Sequence, residues 1–190
     1  WLSDEILLKI AKENAVAETA FFVDKGEKIH LRWFTPEIEM DLCGHATLAS
    51  AHCLTTILDY KKDEIVFETL SGDLIVNVEN GLYKMDFPSR MPVADKLPST
   101  ISKSLNETEI RSIKIDRQLF DQINLDPGGV IVTAIGDNCD FVSRFFTPQA
   151  SILEDPVTGS AHCSLIPFWA KRLNKKELYA QQVSERMGKL

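Results

Sequence analysis

The chain has 190 residues, 44% hydrophobic and 26% charged, enough to bury the core of one medium domain or two compact lobes. A formal charge of −7 with no cluster of Lys or Arg argues against a nucleic-acid surface. No apolar run approaches a membrane span, no signal peptide is visible, and Cys43, Cys53, Cys139 and Cys163 show no Cys-x-x-Cys spacing, so a reducing, cytoplasmic setting is expected.

The chain opens on Trp1 and runs directly into a helical pattern, so an N-terminus lacking its preceding segment is expected. Residues 2–14 predict an amphipathic helix, with Ser3 or Asp4 as cap, Ile6, Leu7, Ile10 and Ala11 as its apolar stripe, and Asn14 as its stop. Residues 18–23 predict a strand with Glu18 at its entrance. Gly26 turns the chain, Ile29, Leu31 and Trp33 alternate along a second strand, and Pro36 ends it. Residues 44–58, rich in Ala and Leu, predict a long helix buried on most sides. A meander follows. Residues 65–67 open it, Ser71-Gly72 breaks it, and Leu74, Val76 and Val78 alternate. Asn80-Gly81 marks a type I′ hairpin, and Tyr83, Met85 and Phe87 continue the alternation.

Residues 88–98 read as a connector. A short helix is predicted at 99–105, a strand at 111–115, and a helix capped by Asp116 through Ile123. Strands at 130–135 and 141–147 precede a second long helix at 160–173, stopped by Asn174, and a last strand at 178–182. The pattern predicts an α+β fold with largely antiparallel sheets, each wrapping one long helix, in an N-terminal lobe of residues 1–90 and a C-terminal lobe of residues 91–190.

One stretch occurs twice. Arg32-Trp33-Phe34-Thr35-Pro36 leads to Cys43-Gly44-His45 and Ala51-His52-Cys53. Arg144-Phe145-Phe146-Thr147-Pro148 leads to Asp155-Pro156-Val157-Thr158-Gly159-Ser160 and Ala161-His162-Cys163. The repeat predicts two halves related by a pseudo-two-fold axis, each offering a helix N-terminus to a common cleft suited to an anionic small molecule. Aligned on the Arg and Phe, the copies set Cys43 opposite Asp155.

Each candidate residue has a plain reading. Glu18 reads as a solvated carboxylate at a strand end, or as a general base whose pKa the apolar strand raises. Cys43-Gly44-His45 reads as a turn with a capping imidazole, or as N–H groups and a ring aimed at an oxyanion. Asp155 and Pro156 read as a helix cap and a first-turn proline. Gly159 is not explained that way, because Gly weakens a helix by about 1 kcal/mol; close approach of a ligand explains it. His52-Cys53 and His162-Cys163 do not make two-ligand metal units, because adjacent helical residues diverge. His45 and His52 are two turns apart, so core packing is their better reading.

These residues resemble the PhzF-like (phenazine-biosynthesis-like) isomerases, relatives of diaminopimelate epimerase and proline racemase. The likeness is carried by residues 11–21 and 32–36, by Cys43-Gly44-His45-Ala46-Thr47-Leu48, by Glu154 through His162, and by Gln182-Val183-Ser184-Glu185-Arg186. The resemblance implies two lobes, each a sheet wrapped around a central helix, and a cofactor-independent acid–base isomerase, often a homodimer. It places the catalytic glutamate at Glu18, with His45, Asp155 and Ser160 assisting. Cys43, Gly44, Thr158 and Gly159 are expected to bind a small substrate bearing a carboxylate. No metal, cofactor, nucleic acid or membrane partner is expected. Against the family's usual pattern, an opening strand with a Gly-Asn-Pro segment and the last strands are not seen in this sequence, and the region 88–130 is shorter than usual. Superfamily members that use two thiols need one at each helix N-terminus, and this chain has one at Cys43, so a single carboxylate is the expected base. The competing readings are a non-catalytic binding module on the same fold and a zinc hydrolase, which would need stoichiometric metal.

Overall fold

Acidic residues start the first helix and a left-handed residue stops it. In the computed structural model, which describes residues 1–96, 106–123, 125, 128–150 and 152–190, α1 spans Asp4–Asn14 with Asp4 and Glu5 in its first turn and Ala15 in the αL conformation at its end. Ser3 contributes only its carbonyl, which accepts the Leu7 N–H at 3.0 Å; its side chain makes no cap bond. Leu7 and Ala11 bury against Phe21 and Phe34. Ile6 stays 44% exposed, so the apolar stripe is narrower than the sequence predicts.

The chain divides into two compact units, Trp1–Pro88 and Ser89–Leu190. In the first, β1 (Thr19–Asp24) and β2 (Ile29–Phe34) pair antiparallel across a turn in which Gly26 takes a φ of +91°. A short β3 (Glu39–Met40) returns along β2. Helix α2 (Gly44–Thr56) then crosses to β4 (Glu64–Thr69), which runs parallel to β2. Strands β5 (Gly72–Glu79) and β6 (Leu82–Asp86) complete an antiparallel meander. Asn80 and Gly81 both have positive φ, as a type I′ turn requires. The sheet order is β1-β2-β4-β5-β6 with β3 alongside β2.

Helix α2 touches β1 and β6, the two ends of that order, so the sheet curls around it. Ile29, Leu31, Trp33, Ile65, Phe67, Leu74 and Val76, at 0–1% exposure, form the core beneath. Gly44, Ala46, Thr47, Ser50, Ala51 and Leu54 line the buried side of α2, but Leu48, Ala49 and His52 are exposed. Burial on most sides therefore does not hold for α2. His52 is a surface residue bonded to the Tyr83 hydroxyl at 3.1 Å, not a core imidazole.

The second unit opens with α3 (Glu107–Ser112) and α4 (Arg117–Phe120). The strand expected at 111–115 is thus replaced at its start by a helix. Asn106 caps it by accepting the Glu109 N–H, Glu107 pairs with Arg111 one turn on, and Ile110 is fully buried. Those contacts outweigh the alternation of Ile113 and Ile115, which pair with no strand. Asp116 does cap α4, through the N–H groups of Gln118 and Leu119, though the helix stops short of Ile123. The helix expected at 99–105 lies outside the described residues.

Strands β7 (Val130–Ile135) and β8 (Phe141–Phe146) are antiparallel, β9 (Glu154–Asp155) returns along β8, and α5 spans His162–Leu173. Then β10 (Ala180–Gln182) runs parallel to β8 and β11 (Gly188–Lys189) closes the sheet, in the order β11-β10-β8-β7 with β9 alongside β8. Leu165 and Trp169 of α5 pack on Phe141 and Ala180, with Trp169 stacked on Phe141 at 5.8 Å. Pro167 lies inside α5 and has no N–H to give Cys163, one turn earlier. The Cys163 carbonyl accepts the Arg90 N–H instead, at 2.7 Å.

The two units repeat one topology, an antiparallel strand pair, a short return, a helix, and a strand parallel to the second. The repeat extends to side chains. Arg32 grips Glu39 with two bonds of 2.7 Å and lies 5.0 Å over Phe34. Arg144 grips Glu154 at 2.7 and 2.8 Å and lies 4.7 Å over Phe146. The fold is α+β with two similar lobes. Among the described residues no helix is long and apolar enough to cross a membrane.

Candidate active site

The strand ladders settle how the two copies align. Phe34 pairs with Glu39 and Trp33 with Met40, as Phe146 pairs with Glu154 and Phe145 with Asp155. Asp155 is therefore level with Met40. Three residues further on, Cys43 is level with Thr158, then Gly44 with Gly159 and His45 with Ser160. The alignment that set Cys43 opposite Asp155 is off by three, because the second loop is longer (147–153 against 35–38). The two Ala-His-Cys runs are not equivalent either. Ala51-His52-Cys53 lies in the second half of α2, whereas Ala161-His162-Cys163 lies at the start of α5.

In the first unit, Glu18 immediately precedes β1, Cys43 is the residue before α2, and Gly44 and His45 are its first two helical residues. Because α2 lies along β1, three side chains distant in sequence meet. Glu18 Oε2 is 3.0 Å from His45 Nε2, and Cys43 Sγ is 3.8 Å from His45 Nδ1. Glu18 has an 18% exposed side chain, while that of His45 is 61% exposed. The Glu18 Oε2 atom is buried and, despite the short distance to the ring, completes no well-aligned hydrogen bond. Cys43 first and Glu18 second push the pKa of His45 up to about 10, against a smaller opposing effect of burial. The ring is thus a cation at neutral pH, a donor from both nitrogens. The immediate partner of Glu18 is this imidazolium, so its surroundings are not the apolar wall that the sequence suggests.

In the second unit, Asp155 belongs to β9 and does not cap α5, whose N-cap is Ala161 with no side-chain bond. The Thr158 hydroxyl donates to the Asp155 carboxylate at 2.6 Å. Gly159, Ser160 and Ala161 form a turn closed by bonds from the His162 and Cys163 N–H groups to Gly159 and Ser160, so α5 starts two residues later than expected. Gly159 is exposed, Ser160 half-buried and Thr158 buried.

Sequence reasoning missed what holds this loop. Gln182, 1% exposed, accepts the Thr158 N–H at 2.7 Å and donates to the Asp155 carbonyl at 2.6 Å. Ser184 donates to the Pro156 carbonyl at 2.8 Å. His162 Nδ1 donates to the Thr158 carbonyl at 2.9 Å, and burial pushes the pKa of its ring down. The bunching of Gln182 and Ser184 at the end of a predicted strand is a signal that reads only once β10 is known to lie beside β8.

The family model described as "Phenazine biosynthesis-like protein" (PhzC-PhzF) matches residues 1–124 and 106–190. The chain belongs to this family. An uncharacterized isomerase of Pseudomonas aeruginosa is 45% identical, over 100% of this chain and 79% of that protein. The human phenazine biosynthesis-like domain-containing protein is 33% identical, over 100% of this chain and 81% of its own. Among solved structures, a PhzF family protein of Enterococcus faecalis is 41% identical, with a TM-score of 0.84 over 100% of this chain and 80% of that one. In this PhzF-like chain the Glu18–His45 contact has no counterpart at the level positions of the second unit, where Thr158 stands level with Cys43 and Ser160 with His45, and Thr158 bonds Asp155 instead.

Proposed function

We propose that this chain is an isomerase that moves a proton on a small substrate bearing a carboxylate, without a cofactor. Its bacterial relatives bear the name isomerase. The observation that carries the mechanism is the buried Glu18 Oε2, 3.0 Å from the His45 ring yet without a well-formed hydrogen bond. A lone pair in that position can accept a proton from carbon. His45, held cationic, stabilises the negative charge that develops on the substrate as the proton leaves. The N–H groups at the start of α2, beside Cys43 and Gly44, have no partner within the helix and favour a carboxylate. Thr158 and Gly159 are assigned to substrate binding, and Asp155 and Ser160 to assisting proton handling.

Deuterium uptake from heavy water into a panel of small carboxylates, read by mass spectrometry, tests this. Wild-type protein is expected to label at least one. Glu18→Gln keeps the shape of the side chain and is expected to lose about 10²–10⁴-fold of the rate, with circular dichroism unchanged. Equal uptake by the two proteins removes Glu18 from the mechanism. Binding of a carboxylate with no uptake by either protein would make this a binding module.

A further inference from the structure

Among the described residues one group of His, Cys and carboxylate side chains can converge on a metal ion: Glu18, Cys43 and His45, whose ligand atoms all lie within 4.8 Å of one another. We propose that this cluster binds one divalent zinc ion per chain, and that the bound ion switches the site off. Zinc bonds of about 2.0–2.3 Å set tetrahedral ligand atoms about 3.3–3.8 Å apart. The observed separations bracket that range, at 3.0 Å from His45 Nε2 to Glu18 Oε2 and 4.0 Å from Cys43 Sγ to the same nitrogen. A modest reorientation of the His45 ring is what closing the site requires, since Cys43 Sγ lies at 3.8 and 4.0 Å from its two nitrogens. His45 can make it, because its side chain is 61% exposed on the first turn of α2.

The donor set decides the metal. One thiolate, one imidazole and one carboxylate suit zinc, whereas magnesium and calcium demand oxygen ligands throughout. Three protein ligands leave a fourth position for water, and the His45 side chain is 61% exposed. The elements that carry the ligands are held by the core rather than by the ligands. Glu18 enters a strand paired through all of β1, and Cys43 anchors α2 by accepting the Thr47 N–H at 3.2 Å and its hydroxyl at 2.6 Å. The site therefore exists before metal arrives. Zinc on Glu18 Oε2 would occupy the lone pair assigned above to proton transfer. The inhibitory half of the proposal rests on that functional reading, whereas the binding half does not.

The test separates the two. The chelator-treated chain is dialysed against zinc chloride, and metal is counted by elemental analysis. One zinc per chain is expected, with affinity falling more than about 10–100-fold in Cys43→Ser and in His45→Ala, a loss that outer-shell partners alone can cause. Cys163→Ser is the control and is expected to bind as wild type does. Cobalt(II) substituted into wild type should show a thiolate charge-transfer band, which reads Cys43 ligation even where a variant fails to fold. No retained zinc in the folded wild type, unchanged affinity in either ligand variant, or no thiolate band overturns the site. Uptake of deuterium that persists at one zinc per chain overturns the switch and leaves the site standing.

Discussion

Two side chains, 3.0 Å apart, set the behaviour of the Glu18–His45 cluster in the first unit. Folding raises the His45 pKa from its ordinary 6.5 to about 10. The stabilisation that its cation draws from Cys43 and Glu18 is complete below about pH 6.5 and fades as pH rises to about 10. Denaturant melts of wild type and His45→Gln at pH 6 and pH 10 should therefore differ most at pH 6. The gap should be about 1 kcal/mol or less, because solvent screens a ring that is 61% exposed. The equivalent positions in the second unit carry no such charge pair, and there the buried Gln182 matters most. Gln182→Leu strands the Thr158 N–H and the Asp155 carbonyl. It should cost about 1–3 kcal/mol and raise KM more than it lowers kcat, which steady-state kinetics on an identified substrate would read.

At the scale of elements, the two arginines that look alike in sequence carry unequal loads. Arg32 has Glu39 and the exposed Asp4 as partners. Arg144 has Glu154 and also the Ile110 and Ile113 carbonyls, at 3.1 and 2.9 Å, so it fastens the end of α3 to β8. Arg144→Met should lose about 3–5 kcal/mol, as expected for breaking a largely buried pair, and Arg32→Met should lose less. Thermal unfolding of the two variants, side by side, checks the order. Features governed by neighbouring residues were legible in the sequence. Asn80-Gly81 announced its hairpin, Gly26 its turn, Asn174 its helix stop, and the alternation of Leu74 and Val76 their inward face. Features governed by contacts between elements were not. Ile113 and Ile115 alternate like a strand, and only the burial of Ile110 against Ala134 and Val142 explains why their neighbours coil into α3. Glu18 and Cys43 look unrelated until α2 is laid along β1, and the true partner of Cys43 in the repeat is hidden by three extra loop residues.

At the scale of the whole molecule, each unit has its own core, and residues 91–96 of the segment that follows Pro88 are all exposed. Limited trypsin digestion of the native chain should cut first at Lys96, giving two large fragments by mass spectrometry. Arg90 should resist, because its backbone is bonded to the Cys163 carbonyl.

That last bond has a use of its own. Pro167 leaves a vacancy in the hydrogen-bonding pattern of α5, and a residue from far earlier in the chain fills it. The Arg90 amide is thereby an exchange clock for a helix to which it does not belong. Its proton should swap with solvent no faster than those of α5 itself, while its exposed neighbours at Met91 and Val93 swap within seconds. Loosening α5 by truncating Trp169 should speed Arg90 in step with the helix. A single amide, followed by NMR, would then report whether the second unit is whole.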